Sequence, residues 1–160
     1  MQEVVSSNLT SPTILDQFPF PFAWNGKHSD IPFFTMAKAK LKKITWLSDL
    51  EAHDYPAAES YLSLLFNEEQ VAKMISQLKR ARVGQFKAKD IFRAARLPLL
   101  GMSNSHVEKD WGKIRKGQSL SPLLLVRDES NGKVVIADGY HRLCAVYGID
   151  EDASIPCKII

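Results

Sequence analysis

The stretch Ala137-Asp138-Gly139-Tyr140-His141-Arg142-Leu143-Cys144-Ala145 places an acid, an imidazole and a guanidinium within five residues, where an apolar run gives way to a helical pattern. That combination suits an anion. The first amides of a helix have no intrahelical partner, and the helix dipole leaves positive potential beside them. Gly139 lets the backbone approach a ligand closely. Arg142 offers a planar fork of donors that matches a phosphate, and His141 can donate a hydrogen bond or exchange a proton near neutral pH. Asp138 can hold a metal such as Mg²⁺ or orient His141. The plainer alternative stays open: Asp138 caps a helix, and His141 and Arg142 are solvated residues of its first turn.

A second basic feature lies upstream. Between Lys73 and Arg96 the chain carries Lys73, Lys79, Arg80, Arg82, Lys87, Lys89, Arg93 and Arg96 against one acid, Asp90. Residues 47–69 hold six acids and no Lys or Arg. One reading is dipole matching, with acids at helix starts and bases at helix ends. The functional reading makes Lys87, Lys89, Arg93 and Arg96 a second wall of a phosphate or nucleic-acid groove facing Arg142. The four histidines, His28, His53, His106 and His141, show no zinc-ligand spacing, and His53 and His106 read as capping or surface residues.

The elements that must position these groups are legible in part. Asp54 is the expected cap of a helix running from Pro56 to about Phe66, with apolar Ala58, Leu62, Leu65 and Phe66 on one face. Asn67 and Gln70 form a capping box for a second helix, whose stripe is Val71, Met74, Ile75 and Leu78 and whose exit is Gly84. Residues 42–50 predict a short strand or turn around Ile44, Trp46 and Leu47. Ala88 to Arg96 predicts a short helix before Pro98. Ser105 and Glu108 predict another capping box, opening a helix with Val107, Trp111 and Ile114 inward and Gly117 at its close. Leu123 to Val126 is a buried-strand run, Asn131-Gly132 a hairpin turn, and Lys133 to Ala137 the returning strand. A helix from Tyr140 to Tyr147, ended by Gly148, and a last strand, Ile155 to Ile160, complete the pattern. The expected class is α+β: a small mixed sheet with a helical layer from residues 36–85, the sheet domain itself occupying 86–160.

Composition narrows the partners. The 160 residues are 45% hydrophobic and 24% charged, with a formal charge of +3. That supports a packed core and is too slight a surplus to announce a nucleic-acid binder. No stretch approaches the roughly 18 apolar residues of a membrane span. Cys144 and Cys157 form neither a CxxC nor a disulfide framework, so a reducing cytoplasm is the expected location. Residues 1–35 differ in kind, with one basic residue, four of the eight prolines and Phe-Pro alternation from Phe18 to Trp24. They read either as a binding arm or as a leader expected to be poorly ordered. The second expectation draws on Ser6-Ser7-Asn8-Leu9, the translation of the T-arm of a bacterial tRNA gene, which makes Met36 the expected start.

The segment from Ser119 to Ile160 resembles the C-terminal half of the ParB/sulfiredoxin superfamily core. An apolar strand precedes a hairpin, then a G-x-[HR]-R-x-x-A box, here Gly139-Tyr140-His141-Arg142-Leu143-Cys144-Ala145, opens a helix before a short closing strand. The resemblance covers about residues 86–160 and implies phosphate handling. ParB proteins, which bind CTP and a centromere sequence, read G-E-R-R, so Tyr140 and His141 depart from them, and chromosome partitioning by this chain alone is not expected. Sulfiredoxins carry a nucleophilic Cys where Tyr140 stands, which excludes sulfinic-acid reduction by that route. The box is most similar to the D-G-H-H-R of ParB-like free serine kinases. Those enzymes also need an acidic base, for which Asp90, Glu108 and Asp110 are the candidates by proximity in sequence. A clamp without a base or metal ligand is a binding site rather than an enzyme.

Two functions follow as expectations. In the first, the chain binds a phosphorylated small molecule or a nucleotide (ATP, ADP or CTP, with Mg²⁺) and is a small phosphotransferase or nucleotide hydrolase. Gly139, Tyr140, His141, Arg142, Arg96 and Lys89 hold the phosphate, and Asp138 and His141 are catalytic. In the second, it is a non-catalytic nucleic-acid-binding or partner-binding module using the 73–96 run.

Overall fold

A computed structural model describes residues 43–160 of the chain. The expectations for residues 1–35 lie outside the described residues.

Helix α1 (Asp54–Leu62) is followed by α2 (Glu68–Arg80), strand β1 (Val83–Lys87) and α3 (Ala88–Ala95). Helix α4 (Ser105–Lys116) leads to β2 (Leu123–Asp128), and a 3₁₀ turn at Glu129–Asn131 joins it to β3 (Lys133–Asp138). Helix α5 (Tyr140–Tyr147) and β4 (Ser154–Ile159) follow. The strands form one mixed sheet in the order β1-β4-β2-β3, with β4 parallel to β2 and the other two pairings antiparallel. The α+β class with a small mixed sheet is therefore what the chain adopts.

Side chains alternate across a strand, and β2 uses both faces. Leu124 and Val126 join Val135 and Ala137 of β3 beneath Ala58 and Leu62 of α1 and Val71, Ile75 and Leu78 of α2. Leu123 and Leu125 face the opposite way, toward Ile91 of α3, Val107 and Ile114 of α4, and Leu143, Cys144 and Val146 of α5. The sheet is thus covered by α1 and α2 on one face and by α3, α4 and α5 on the other. Both cysteines are buried in the second layer, and burial pushes the Cys157 thiol up to about 12. Among the described residues no helix is long and apolar enough to cross a membrane.

Local chemistry accounts for several boundaries. The Asn67 side chain accepts from the Gln70 amide at 2.9 Å while the Gln70 side chain accepts from the Asn67 amide at 3.4 Å, closing the capping box of α2. Asn67→Ala is expected to cost about 1 kcal/mol, read as a lowered urea midpoint with an unchanged slope. The hairpin turn is held by Asp128, whose carboxylate accepts from the Asn131 amide, with Gly132 at φ 57°.

Other boundaries differ from the sequence reading. Helix α1 stops at Leu62, four residues before Phe66. Helix α4 is capped by Asn104, whose side chain accepts from the amides of His106 and Val107, so Ser105 is the first helical residue rather than a cap. Gly84 does not end α2; it sits in β1, paired with Cys157 across the sheet. Of the expected strand or turn at 42–50, the described residues 43–50 contribute a single bridge, Trp46 to Leu120, with Leu47 donating to the Leu120 carbonyl.

Candidate functional site

The C-terminal end of β3, the start of α5, one side of α1 and one side of α4 enclose a cleft of about 610 Å³. Helix α4 offers His106, Lys109, Asp110 and Lys113, spaced i, i+3, i+4 and i+7, so all four share one helix face. Helix α1 and the residues before it offer Glu51, His53, Asp54, Ala57 and Tyr61. The floor is Asp138, Gly139, Tyr140, His141 and Arg142. Asp138 to Arg142 therefore line the cleft together, while Leu143, Cys144 and Ala145 of the same box lie in the core. Gly139 is the N-cap of α5, in the left-handed region at φ 96°, and no side chain caps that helix.

Arg142 is not an open clamp. It is 8% exposed, its Nη1 donates to Asp54 Oδ1 at 3.1 Å, and its Nη2 donates to Asp138 Oδ2. Its Nε is buried with no acceptor. The expectation of a guanidinium facing a ligand gives way to one engaged by two carboxylates from separate elements. Asp138 consequently does not cap α5; it grips the side chain one turn along the helix.

Asp54, too, has a role other than the cap the sequence suggests. It is 1% exposed. Its Oδ2 accepts from the Ser121 hydroxyl and from the Glu51 amide at 3.0 Å, while Oδ1 accepts from Arg142. Burial pushes its carboxyl up, but Ser121 and Arg142 outweigh that and hold it below the ordinary 3.8. Asp138 goes the other way. Burial raises it above 3.8; Arg142 pulls it down, and the adjacent Asp54 charge adds to the rise.

No protein-family model, curated protein or solved structure matches the chain. The chemistry of the cleft must therefore be argued from its own side chains. His141 stacks on His106, with ring centroids 4.9 Å apart and planes inclined by 29°. Burial lowers His141 below its ordinary 6.5, the His106 charge adds to that, and Asp110 opposes it. Its imidazole is thus kept neutral and able to accept or donate. Tyr140 donates its hydroxyl to the Pro98 carbonyl, which ties the start of α5 to the segment after α3. Lys113 pairs with Asp110 at 3.1 Å. Among the described residues no carboxylate comes within ion-pair distance of Lys109.

The remaining predicted residues fall elsewhere. Lys89 pairs with Asp152 at 2.8 Å, and Arg96 donates to the Gly132 carbonyl at 3.2 Å; neither lines the cleft. The 73–96 run passes from α2 on one face of the sheet, around the β1 edge, to α3 on the other, so it does not form one wall opposite Arg142. Of the three candidate bases, Asp90 pairs with Arg93, Glu108 is exposed, and Asp110 lies in the cleft.

The cleft also holds a cluster of metal-ligand types. Glu51, His53 and Asp54 place ligand atoms within 4.8 Å of one another. The fit is poor, because both Asp54 oxygens already accept hydrogen bonds and one of them touches a guanidinium. Asp138, the expected Mg²⁺ ligand, is bound to that same guanidinium. Cation and guanidinium would repel at this distance.

Proposed function

We propose that the chain binds a phosphorylated small molecule or nucleotide in this cleft, using a strand-to-helix corner of ParB/sulfiredoxin-like type. The observation that carries the reading is the uncapped N-terminus of α5, opening onto a cleft whose opposite wall presents Lys109 without a counter-charge among the described residues. The anion rests against the first amides of α5, where helix polarity favours it, and Lys109 supplies the formal positive charge that Arg142 has committed elsewhere. His106 and His141, stacked on each other, flank it as hydrogen-bonding groups. Any Mg²⁺ arrives with the nucleotide's own phosphates rather than on Asp138. The exposed apolar side chains Tyr61 and Leu97, which also line the cleft, suit an organic moiety attached to the phosphate.

His141 and Asp138, at the start of α5, are among the groups of this cleft that can give or take a proton, which is what a phosphotransferase or nucleotide hydrolase requires of its protein. The nucleic-acid reading draws no comparable support, since the basic run is divided between two faces and much of it is paired. Titration calorimetry with ATP, ADP, CTP and inorganic phosphate, with and without Mg²⁺, tests the proposal. Saturable heat is expected for at least one nucleotide, weakened about tenfold or more by Lys109→Ala. Absence of heat across the whole panel defeats it.

A further inference from the structure

Asp138 stands beside the amide end of α5, where the anion of the preceding reading would rest. An ionised carboxylate in that place repels its guest. The arrangement of donors resolves the conflict. Asp54 collects three on its two oxygens, from Arg142, Ser121 and the Glu51 amide, and its side chain is 2% exposed. Asp138 receives one side-chain donor, Arg142 Nη2, and its side chain is 22% exposed. One guanidinium balances one carboxylate. Both line the cleft, but Asp54 has by far the better claim on a negative charge, so the proton shared by this pair belongs on Asp138, the more exposed of the two.

We propose that Asp138 takes up a proton when the cleft is filled and donates it as a hydrogen bond to an oxygen of a tetrahedral oxyanion, with Asp54 as the positioning residue that keeps the proton there. The inference rests on the anion-binding reading and adds to it the state of the ligand's acceptor and the group that reads it. The raised proton affinity of Asp138 agrees with this assignment. Other titratable groups face the same space. Glu51, His53 and Asp54 do so from the α1 side, His106, Lys109, Asp110 and Lys113 from α4, and His141 and Arg142 from α5. Because these groups share the space with the anion, the test must remove Asp138 alone.

Sulfate is the probe, because it stays doubly charged where phosphate titrates. Its binding is followed by calorimetry at about pH 8 in buffers of different ionisation enthalpy, which counts protons taken up per anion bound. The wild-type chain is expected to take up about one proton more than Asp138→Asn, whose amide donates permanently and still accepts from Arg142. Asp138→Asn is expected to bind sulfate at least as tightly as wild type. Asp54→Asn removes the like charge that holds the proton on Asp138, and uptake is expected to fall there too. Equal uptake in wild type and Asp138→Asn, with sulfate still binding, overturns the role of Asp138 and leaves the anion site standing. Sulfate heat absent from wild type and from both variants, each checked for folding by circular dichroism, overturns the anion site and this inference together.

Discussion

Arg142→Ala is expected to destabilise the folded chain by about 3–5 kcal/mol, the usual cost of breaking a buried ion pair by removing one partner. The guanidinium is the only cation within ion-pair reach of Asp138 among the described residues. Its other acceptor, Asp54, is 2% exposed and cannot turn to water. Truncation leaves two carboxylates in one low-dielectric pocket, repelling each other, along with the volume of a long side chain. Urea denaturation followed by circular dichroism at neutral pH measures the loss. A change below about 1 kcal/mol, the level of an exposed surface pair, would mean that the three groups are solvated and that Arg142 is free to meet a ligand.

The pH dependence gives a second reading of the same variant. Asp54, held below 3.8 in the fold, contributes stability that is present above 3.8 and lost as pH falls through its lowered value. Asp138, raised above 3.8, contributes stability that is full below 3.8 and lost as pH rises through its raised value. Without Arg142 both carboxylates favour the protonated state, so the deficit of Arg142→Ala relative to wild type is expected to shrink on acidification. Adding Asp54→Asn and Asp138→Asn to Arg142→Met is expected to restore much of the lost stability, because no charge of this cluster then remains buried.

Gly139→Ala carries the other large effect, about 2–6 kcal/mol. Gly139 has φ 96°, where a side chain is strained at a cost of about 1–3 kcal/mol. A Cβ there would also lie 2.8 Å from Leu123 Cγ and 3.1 Å from Arg142 Nε and Nη2. Leu123 is fully buried and cannot withdraw, so overpacking adds about 1–3 kcal/mol. Gly132 is the control. Its φ is also positive, at 57°, but a Cβ there meets open space, so Gly132→Ala should cost only about 1 kcal/mol. Thermal unfolding of the two variants side by side separates backbone strain from crowding. Equal shifts would show that Leu123 and Arg142 yield without penalty.

What was legible in the sequence is what local chemistry decides. The Asn67 and Gln70 box, the Asn131-Gly132 turn and the glycines bracketing α5 each act within a few residues, and each lies where it was read. Strand β1 was missed because Val83-Gly84-Gln85-Phe86-Lys87 has no alternating pattern. It is a strand only by virtue of its register with β4, from Val83 opposite Lys158 to Lys87 opposite Ser154. The site was half legible. Asp138 to Arg142 were found, but an arginine in a first helical turn looks solvated until its acceptors are located, and Asp54 is 88 residues away. A signal for Asp54 did exist. It stands four residues before Ala58 and eight before Leu62, on the stripe that α1 buries, where a carboxylate must find donors.

The order of strands also bears on how the chain assembles as it is made. Among the described residues the last strand in sequence, β4, is internal to the sheet, flanked by β1 and β2. Until it has left the ribosome, β2 and β3 are the only two of these four strands that can pair, and β1 has no neighbour among them to hold it. Ile155 and Cys157 are likewise absent from the layer they complete. A nascent chain can therefore close its hairpin early, while the long-range pairings wait for synthesis to deliver the strand that joins the two halves.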